Sequence, residues 1–388
     1  MHTEEGNPLA DFYLPTQLVT GVDTLDSLGH QTARLGRRAL LVTGARAARR
    51  AGWIERTAAL LDAQGVALTV FDRVSGEPTL TLVEEGVEVA RRERCDVVIG
   101  LGGGSAIDAA KAIAGVATLP GTIWDYHGGR KIEHEGLPFL AIPTTAGTGA
   151  EVTKNAVLID PREGVKYSIR DDRWFARVAI VDPALMTGMP PEVTASTGSD
   201  ALCQAIESYT SIGANPVTDA LARQAIALIG RSLERAYAAG DDLSAREDMA
   251  YGSLMAGMAM ASARLGGVHG MAHPLGSHFS IPHGVICGLL LPYTMEYNLA
   301  YAGMKYAEVY RLMGGAASRE TETDARAAVE GVRGLLGRIG IPSHLRDYGV
   351  GEEHLPQIIE ESLPSGSLQH NPRPLAAEDV RAILEAAL

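Results

Sequence analysis

Short apolar runs alternate with amphipathic segments through the first half of the chain. Each run is followed by a glycine or another turn signal, as buried strands are, whereas the segments between the runs place apolar residues at helical spacing. The strand patterns fall at residues 38–43, 66–74, 96–104 and 139–145, and the helix patterns at 55–65, 80–95 and 105–117. This alternation predicts a parallel sheet with helices packed on both faces.

The pattern changes near the two prolines of "GMPPEV", residues 188–193. Beyond them the chain has long amphipathic stretches, such as residues 219–240 and 245–267, and almost no β-branched runs. Because a proline pair and a change of periodicity favour a boundary, we predict an α/β domain over residues 1–190 and an all-α domain over residues 191–388. A cleft between two such domains is the usual place for a ligand.

Charge and composition narrow the classes of function. The 388 residues carry a formal net charge of −13 and no extended basic run, so we expect neither a nucleic acid nor a membrane as partner. The chain shows no apolar span of about 20 residues. Cys95, Cys203 and Cys287 are far apart and form no CxxC pair, which indicates reduced thiols that pack in a cytoplasmic protein.

Two polar loops follow predicted strands. The first, "GLGGGSAIDAAK" at residues 100–111, leads into a helix, where glycines and free N–H groups can cradle a phosphate. Ser105 and Asp108 also fit a capping box, so a capped helix without a ligand is the alternative. The second loop, "PTTAGTGAEVT" at residues 143–153, follows the next strand. Loops at the carboxyl ends of adjacent parallel strands converge on one site, which favours nucleotide binding.

Four of the eleven histidines fall within "GGVHGMAHPLGSHFSIPHG", residues 266–284. Imidazole is both the commonest metal ligand and a proton carrier near neutral pH, so either role could explain the cluster. His269 and His273 are four residues apart, a spacing that would suit two ligands on one helix face. The alternative is a polar loop with surface histidines.

These motifs, together with "SDALCQAIESY", resemble the iron-containing (group III) alcohol dehydrogenase family, which has a dehydroquinate synthase-like fold. The likeness runs from about Phe12 to the end of the chain. It implies that residues 1–190 are a dinucleotide-binding domain and residues 191–388 a helical metal and catalytic domain. It also implies an NAD(P)-linked alcohol dehydrogenase or aldehyde reductase that forms a homodimer or a larger homo-oligomer.

The resemblance assigns cofactor contacts to several residues. Gly102, Gly103, Gly104 and Ser105 would hold the pyrophosphate, with Asp108 and Lys111 in the same motif. Thr144, Thr145 and Thr148 would line the cofactor groove, and Lys166 would reach towards the ribose. Gly44 stands where many relatives carry an aspartate that contacts the ribose, and Arg46, Arg49 and Arg50 follow it. We therefore expect NADP(H) to be favoured over NAD(H).

The resemblance also places a metal site at Asp200, Gln204, His269 and His283, and assigns His273 to the substrate side as the proton carrier; His278 receives no role. Gln204 stands where most relatives have histidine. An amide oxygen is a weaker donor, but two histidines and one carboxylate suit Fe(II), with Zn(II) also possible. We expect a bound cation to polarise the substrate oxygen while hydride passes to or from nicotinamide C4.

Two other enzyme classes stay open at this stage. Gln204 could mark a metal-independent reductase similar to the maleylacetate reductases. A dehydroquinate synthase-like lyase would need several basic side chains around its substrate, and residues 200–284 contain few. We expect the substrate pocket to come from residues 124–126, 262–265 and 365–370, and the substrate to be a small alcohol or aldehyde.

Overall fold

The structure is a computed structural model that describes residues 11–388. The strands in this range are β1 Gln17–Thr20, β2 Arg38–Gly44, β3 Ala67–Val74, β4 Val97–Gly102, β5 Phe139–Pro143, β6 Asn155–Asp160, β7 Val165–Arg170 and β8 Val178–Val181. The α-helices are α1 Leu28–Ala33, α2 Ala47–Arg50, α3 Trp53–Asp62, α4 Leu80–Arg92, α5 Gly104–Val116, α6 Ile123–His127, α7 Pro191–Thr210, α8 Pro216–Ala238, α9 Leu243–Ala263, α10 Gly267–Phe279, α11 His283–Tyr297, α12 Leu299–Leu312, α13 Thr321–Arg338, α14 Leu355–Ser362 and α15 Ala377–Ala387.

Within the described range, six strands form one parallel sheet in the order β1-β8-β5-β4-β2-β3. The predicted strands correspond to β2, β3, β4 and β5, so the prediction of a parallel sheet is confirmed. β4 and β5 are buried along almost their whole length, which explains why their sequences are apolar throughout instead of alternating. The apolar patterns did not predict β1 or β8, each only four residues long.

Helices cover both faces of this sheet. Leu28 of α1 and Leu61 of α3 belong to the apolar core on one face. Val87 of α4 and Ile113 of α5 belong to the core on the other. The helix patterns predicted from the sequence correspond to α3, α4 and α5, and together with the sheet they confirm an α/β first half.

An antiparallel hairpin follows the second polar loop and was not predicted. β6 pairs with β7 from Asn155 opposite Arg170 to Asp160 opposite Val165. Ala156 and Leu158 of β6 are buried in the core that contains α5. The hairpin therefore packs against α5, the helix that follows the glycine loop. Lys166 and Arg170 of β7 line the same cavity as that loop.

The second half is helical from α7 onwards, as predicted. The amphipathic stretches at residues 219–240 and 245–267 form most of α8 and α9. One apolar core joins these helices to α7, which is buried along most of its second half. The helix α7 begins at Pro191, and the domain division between residues 190 and 191 stays a prediction.

The two halves meet through a close approach of backbones. Gly149, in the loop after β5, has φ +60°, and a Cβ built on it would lie 2.5 Å from the Cα of Gly257 in α9. Only glycine at both positions allows this contact. It brings the second polar loop against the helical half. No helix within residues 11–388 is long and apolar enough to cross a membrane.

Candidate active site

A cavity of about 1220 Å³ is lined by both halves of the chain. Thr43, Gly102 and Thr144, at the carboxyl ends of β2, β4 and β5, line one wall, where ligands of parallel sheets bind. Residues of α7, α10 and α11 line the other wall. The predicted site residues in the lining are Gly44, Gly102, Gly103, Gly104, Ser105, Asp108, Thr144, Thr145, Thr148, Lys166, Asp200, Gln204, His269, His273 and His283.

The glycine loop is shaped for close approach by a ligand. Gly102 ends β4 with φ +151°, a conformation that favours glycine, and Gly103 is the N-cap of α5. No side chain caps this helix, so the capping-box alternative for Ser105 and Asp108 is wrong: α5 begins at Gly104, and Ser105 lies inside its first turn. Ala106 and Ile107 donate their backbone N–H groups to Gly103, and the N–H groups before them, which no side chain caps, are placed for an anion.

The two polar loops converge as predicted. β4 and β5 are neighbours in the sheet, and the backbone N–H of Thr144 donates to the carbonyl of Gly102 at 2.9 Å. A Cβ built on Gly104 would lie 2.7 Å from the hydroxyl oxygen of Thr148. The backbone of α5 therefore touches the side chains of the second loop, and together they form a narrow groove.

Lys111 and Asp108 hold the second loop on α5. The buried ammonium of Lys111 donates to the carbonyl oxygens of Ala150 at 2.8 Å and Asn155 at 2.7 Å. Asp108 lies 3.6 Å from it and accepts the backbone N–H of Val157 at 3.0 Å. Burial raises the pKa of Asp108 and lowers that of Lys111. Asp108 also faces the cavity, whereas Lys111 acts as a buried support.

Lys166 reaches the cavity from β7 and is ion-paired there. Its Nζ lies 2.6 Å from Oε1 of Glu77, which also lines the cavity. Lys166 is mostly buried, so this pair is held away from bulk water. A cofactor hydroxyl group could bind between the two charges.

Gly44 and the three arginines that follow it have different surroundings, and they do not form one group at the cavity. A side chain on Gly44 would have open space, since the nearest atom, the carbonyl oxygen of Val74, would lie 3.7 Å away. Arg46 is exposed at the start of α2 and is not in the cavity lining. Arg49 is ion-paired with Asp72 at 2.5 Å, whereas Arg46 and Arg50 have no such partner among residues 11–388.

Three helices bring the metal-ligand candidates together. Asp200 and Gln204 are four residues apart on one face of α7 and are both buried. His269 comes from α10 and His283 begins α11. Asp200 Oδ1 lies 3.3 Å from Nε2 of His269 and 3.7 Å from Nε2 of His283. Both imidazoles thus point at one carboxylate.

Glu207, which the sequence motifs did not single out, orients His269. Its Oε2 lies 2.6 Å from Nδ1 of His269, and its Oε1 accepts the backbone N–H of Val268 at 2.7 Å. With Nδ1 bound to Glu207, Nε2 is the nitrogen that faces Asp200. Glu207 is seven residues after Asp200 on α7, and this two-turn spacing was the signal that could have identified it.

Two of the three cysteines lie beside the imidazoles. Cys287 Sγ is 3.6 Å from Nε2 of His283 and 3.8 Å from Nε2 of His269. Cys203 Sγ is 3.9 Å from Nδ1 of His269 and also contacts Cys287. Both thiols are fully buried. Packing alone therefore accounts for Cys95, which does not line the cavity. Cys203 and Cys287 also approach imidazole nitrogens.

The electrostatics of this cluster favour positive charge. Burial would lower the pKa of His269, but Cys287, Asp200 and Glu207 outweigh it and raise that pKa well above its ordinary value. The pKa of His283 is likewise raised, against burial, by Cys287 and Asp200. Gln204 Oε1 is buried and has no hydrogen-bond partner in the described part of the chain. An unpartnered acceptor beside a carboxylate is the environment that a cation requires.

His273 faces the cavity beside the donor cluster and does not belong to it. Its ring stacks on that of His283 with 6.0 Å between centroids. Its own burial, together with the positive charges of His283 and Lys166, lowers the pKa of His273 to about 3. An imidazole with this low pKa is neutral, and the role of His273 as proton carrier stays a prediction. His278 lies elsewhere, 2.7 Å from Glu361 at the surface.

The cavity is lined by parts of two of the three segments that were predicted to form the substrate pocket. Arg264 and Leu265 line it, as do Ser365, Gly366, Ser367 and His370. Residues 124–126 do not, so that expectation is wrong. Trp124 packs against the guanidinium of Arg162, 3.8 Å from the ring centroid, and the hydroxyl of Tyr126 donates to the carbonyl of Pro120.

Comparison with known proteins covers almost the whole chain. The sequence model of the family described as "Iron-containing alcohol dehydrogenase" matches residues 15–183, and that of "Fe-containing alcohol dehydrogenase family, C-terminal" matches residues 194–388. The 1,3-propanediol dehydrogenase of Klebsiella pneumoniae is 42% identical, over 97% of this chain and 98% of its own. The lactaldehyde reductase of Escherichia coli K12 is 39% identical, over 95% and 96%. A crystal structure of 1,3-propanediol oxidoreductase superposes with a TM-score of 0.95 at 41% identity, covering 98% and 100%.

Proposed function

Because the chain belongs to the iron-containing alcohol dehydrogenase family, we propose that this cavity is the place where hydride passes between a nicotinamide and a small alcohol or aldehyde. The matches to known proteins confirm the family resemblance and the class of activity, an alcohol dehydrogenase or aldehyde reductase. The observation that carries the residue assignment is that Asp200, His269 and His283 converge on the wall opposite the glycine loop.

Asp200, His269 and His283 would hold a divalent cation, Fe(II) or Zn(II), and Gln204 would add its amide oxygen. The buried, unpartnered oxygen of Gln204 supports this assignment. When bound, such a cation supplies Lewis-acid polarisation of the substrate carbonyl or alkoxide. Glu207 keeps Nε2 of His269 turned towards the site, a role that orienting carboxylates have in many metal centres.

His273 would move the proton between the substrate oxygen and solvent. Its imidazole is neutral and faces the cavity, so it can accept a proton from an alcohol. Burial and the positive charge of Lys166 disfavour the protonated ring, and a cation held by His283 would do the same, so the proton would pass on to water. With this low pKa, His273 would carry a proton only briefly between the substrate oxygen and water.

The glycine loop and the threonine loop would bind the cofactor. Gly102, Gly103, Gly104 and Ser105 would hold its pyrophosphate at the start of α5, and Thr144, Thr145 and Thr148 would line the groove. Lys166 would contact the ribose beside the nicotinamide. Open space at Gly44, with Arg46 unpaired nearby, supports NADP(H) over NAD(H), since a 2′-phosphate needs both room and a cation.

The remaining assignments follow from the family and the composition. The relatives named above are dehydrogenases or reductases, which favours hydride transfer over the lyase alternative. We infer a cytoplasmic protein, since the three cysteines are free and buried, as expected for a reducing compartment. The homo-oligomer rests on the family resemblance alone.

Metal removal tests this proposal. Protein purified without chelator is assayed for aldehyde-dependent oxidation of NADPH and NADH, then stripped and reloaded with Fe(II) or Zn(II). We expect stripping to lower turnover by about 10²–10³-fold, because a Lewis acid contributes several kcal/mol to this step, and reloading to restore it. We expect kcat/KM to be higher with NADPH. Full activity in the stripped protein would instead establish a metal-independent reductase.

A further inference from the structure

Cys287 lies among the proposed ligands, and the proposed function leaves its chemistry unused. We propose that its sulfur is a ligand of the same cation, so that Asp200, His269, His283 and Cys287 form a mixed site that selects Zn(II) over Fe(II). This inference rests on the proposed function, because it needs a cation at Asp200. It adds a donor and a metal preference.

The spacing of the four donor atoms supports a shared ion. Zinc lies about 2.3 Å from sulfur and about 2.0–2.2 Å from nitrogen or oxygen, so tetrahedral geometry separates its donors by about 3.3–3.6 Å. Cys287 Sγ lies 3.6 Å from Nε2 of His283 and 3.8 Å from Nε2 of His269. Asp200 Oδ1 lies 3.3 and 3.7 Å from the same two nitrogens. These distances agree with the edges of one tetrahedron within a few tenths of an ångström.

The helix α11 explains why Cys287 reaches this point. His283 and Cys287 are four residues apart, so their side chains lie one above the other on the same face. Cys203 offers the contrast. Its sulfur contacts Cys287 and approaches Nδ1 of His269, the nitrogen bound to Glu207, but it does not belong to the donor group around Asp200.

A thiolate changes which cation the site prefers. Sulfur is a soft donor that favours zinc, whereas two histidines and a carboxylate alone suit Fe(II). One carboxylate and one thiolate also balance the two positive charges of the ion inside a buried site. In this site the sulfur of Cys287 would take the position given above to the amide oxygen of Gln204. Zinc sites can expand from four to five ligands, so a fifth position remains for a substrate oxygen.

Cobalt provides a spectroscopic test that does not depend on activity. The stripped full-length protein is titrated with Co(II), and its near-ultraviolet and visible spectra are recorded. We expect a thiolate-to-cobalt charge-transfer band at one equivalent in the wild-type protein. Cys287→Ser should lose this band and keep the weaker visible bands, whereas Cys203→Ser, the matched control, should keep both.

Metal competition gives the second measurement. With equal Zn(II) and Fe(II) under anaerobic conditions, we expect Cys287→Ser to lower the bound zinc-to-iron ratio about 10-fold, as the loss of a soft donor implies. Visible cobalt bands without charge transfer in the wild type would overturn the role of Cys287 while leaving the proposed cation site intact. If no Co(II) binds at all, both fail. The charge-transfer band of the wild-type protein alone shows whether a thiolate binds the metal, so the proposal can be tested even if a variant does not fold.

Two arginines at the substrate end of the cavity carry a second, independent inference. Arg170 ends β7 and Arg264 follows α9, and both line the cavity. Both residues keep a large exposed fraction, so the cavity opens to water here, and partial burial together with the nearby charge of Arg264 lowers the pKa of Arg170. Neither guanidinium is ion-paired within residues 11–388. The adjacent Asp171 and Asp172 are engaged by Arg173 and Lys154.

The backbone of Arg264 is strained. Its φ of 69° and ψ of −179° lie in a region that is essentially restricted to glycine. A long side chain persists in such a conformation only where the surroundings hold it, and strained residues of this kind cluster at ligand sites. The strain is consistent with a side chain retained for binding and not for stability.

We infer that Arg170 and Arg264 bind an oxyanion on the substrate, so that the preferred aldehydes carry a carboxylate, phosphonate or sulfonate group. Two unpaired guanidiniums in a cavity repel each other, and an anion between them removes that repulsion. Arginine also binds planar or tetrahedral oxyanions through paired hydrogen bonds. This inference deepens the proposed function by naming a class of substrate.

Matched aldehydes test it. We expect kcat/KM for 4-oxobutanoate to exceed that for butanal, which has the same chain length without the charge, by about 10-fold or more, as charge-assisted hydrogen bonds imply. Phosphonoacetaldehyde and sulfoacetaldehyde, each compared with propanal, show which oxyanion is preferred.

Arg264→Gly should lower the ratio of kcat/KM for anionic over neutral aldehydes about 10-fold. It should also raise Tm by about 2 °C or more, because it relieves the backbone strain. Arg264→Lys, which keeps the positive charge, should have a higher anionic-to-neutral ratio of kcat/KM than Arg264→Gly.

Other outcomes separate the possibilities. Equal kcat/KM for anionic and neutral aldehydes in the wild type would overturn the inference, and so would a rise in cofactor KM in Arg264→Gly with every aldehyde, since the arginine would then serve the cofactor phosphates. If no aldehyde is reduced under any loading, the proposed function fails as well.

Discussion

Asp200→Asn should remove the proposed cation and lower kcat by about 10³-fold, because loss of Lewis-acid stabilisation costs several kcal/mol in the transition state. Asp200 is almost completely buried, and its carboxylate lies within 3.7 Å of both imidazoles. Asparagine has nearly the same shape, so packing within α7 is kept. It lacks the negative charge that a cation needs in a buried site.

Metal content per chain and steady-state kinetics check this result together. Asp62→Asn, an identical exchange at the exposed end of α3, is the control and should retain metal and activity. A variant that loses the metal and still turns over at the wild-type rate would show that the cation does not take part in the reaction. A variant that retains one ion per chain would show that Asp200 is not a ligand.

The parallel sheet could be predicted because its central strands are buried on both faces. β4 and β5 appear in the sequence as continuous apolar runs followed by glycine or polar loops. The hairpin of β6 and β7 gave no such signal, because its burial alternates and its strands pair with each other outside the main sheet. Position in the sheet, more than the propensity of single residues, decided which strands were recognisable.

The ligand candidates show the limit of spacing arguments. His269 and His273 are four residues apart on α10, and His283 and Cys287 are four apart on α11. Spacing favours both pairs equally. In the structure Cys287 joins the donor group of Asp200, whereas His273 does not. The rotation of each helix about its own axis decides this. That rotation is set by packing, of α11 against α7 and of α10 against α11 and α14, which no local pattern encodes.

The packing of α11 against α7 makes Gly284→Ala the second change of large effect. A Cβ at this position would lie 2.0 Å from the carbonyl oxygen of Ser196 and 2.7 Å from its carbonyl carbon. Both atoms belong to the backbone of α7, one turn before Asp200, so no side chain can rotate away. The two helices must separate, and the neighbouring His283 moves with α11.

We expect Gly284→Ala to destabilise the protein by about 1–3 kcal/mol, the usual cost of overpacking. We also expect it to weaken metal binding and kcat/KM by about 100-fold, since a shift of about 1 Å in a catalytic group has effects of this size. Thermal unfolding, metal titration and kinetics measure the three quantities.

Gly331→Ala is the matched control. Gly331 lies within α13, and a Cβ there would meet nothing within 4 Å. Alanine in an open helical position stabilises by roughly 0.5–1 kcal/mol relative to glycine, so this variant should melt at or above the wild-type temperature with unchanged metal content. If Gly284→Ala also retained wild-type stability and metal affinity, the close contact of α11 with α7 would not be what holds His283 towards Asp200. The shared position of His283 and Cys287 on α11 would then need another cause.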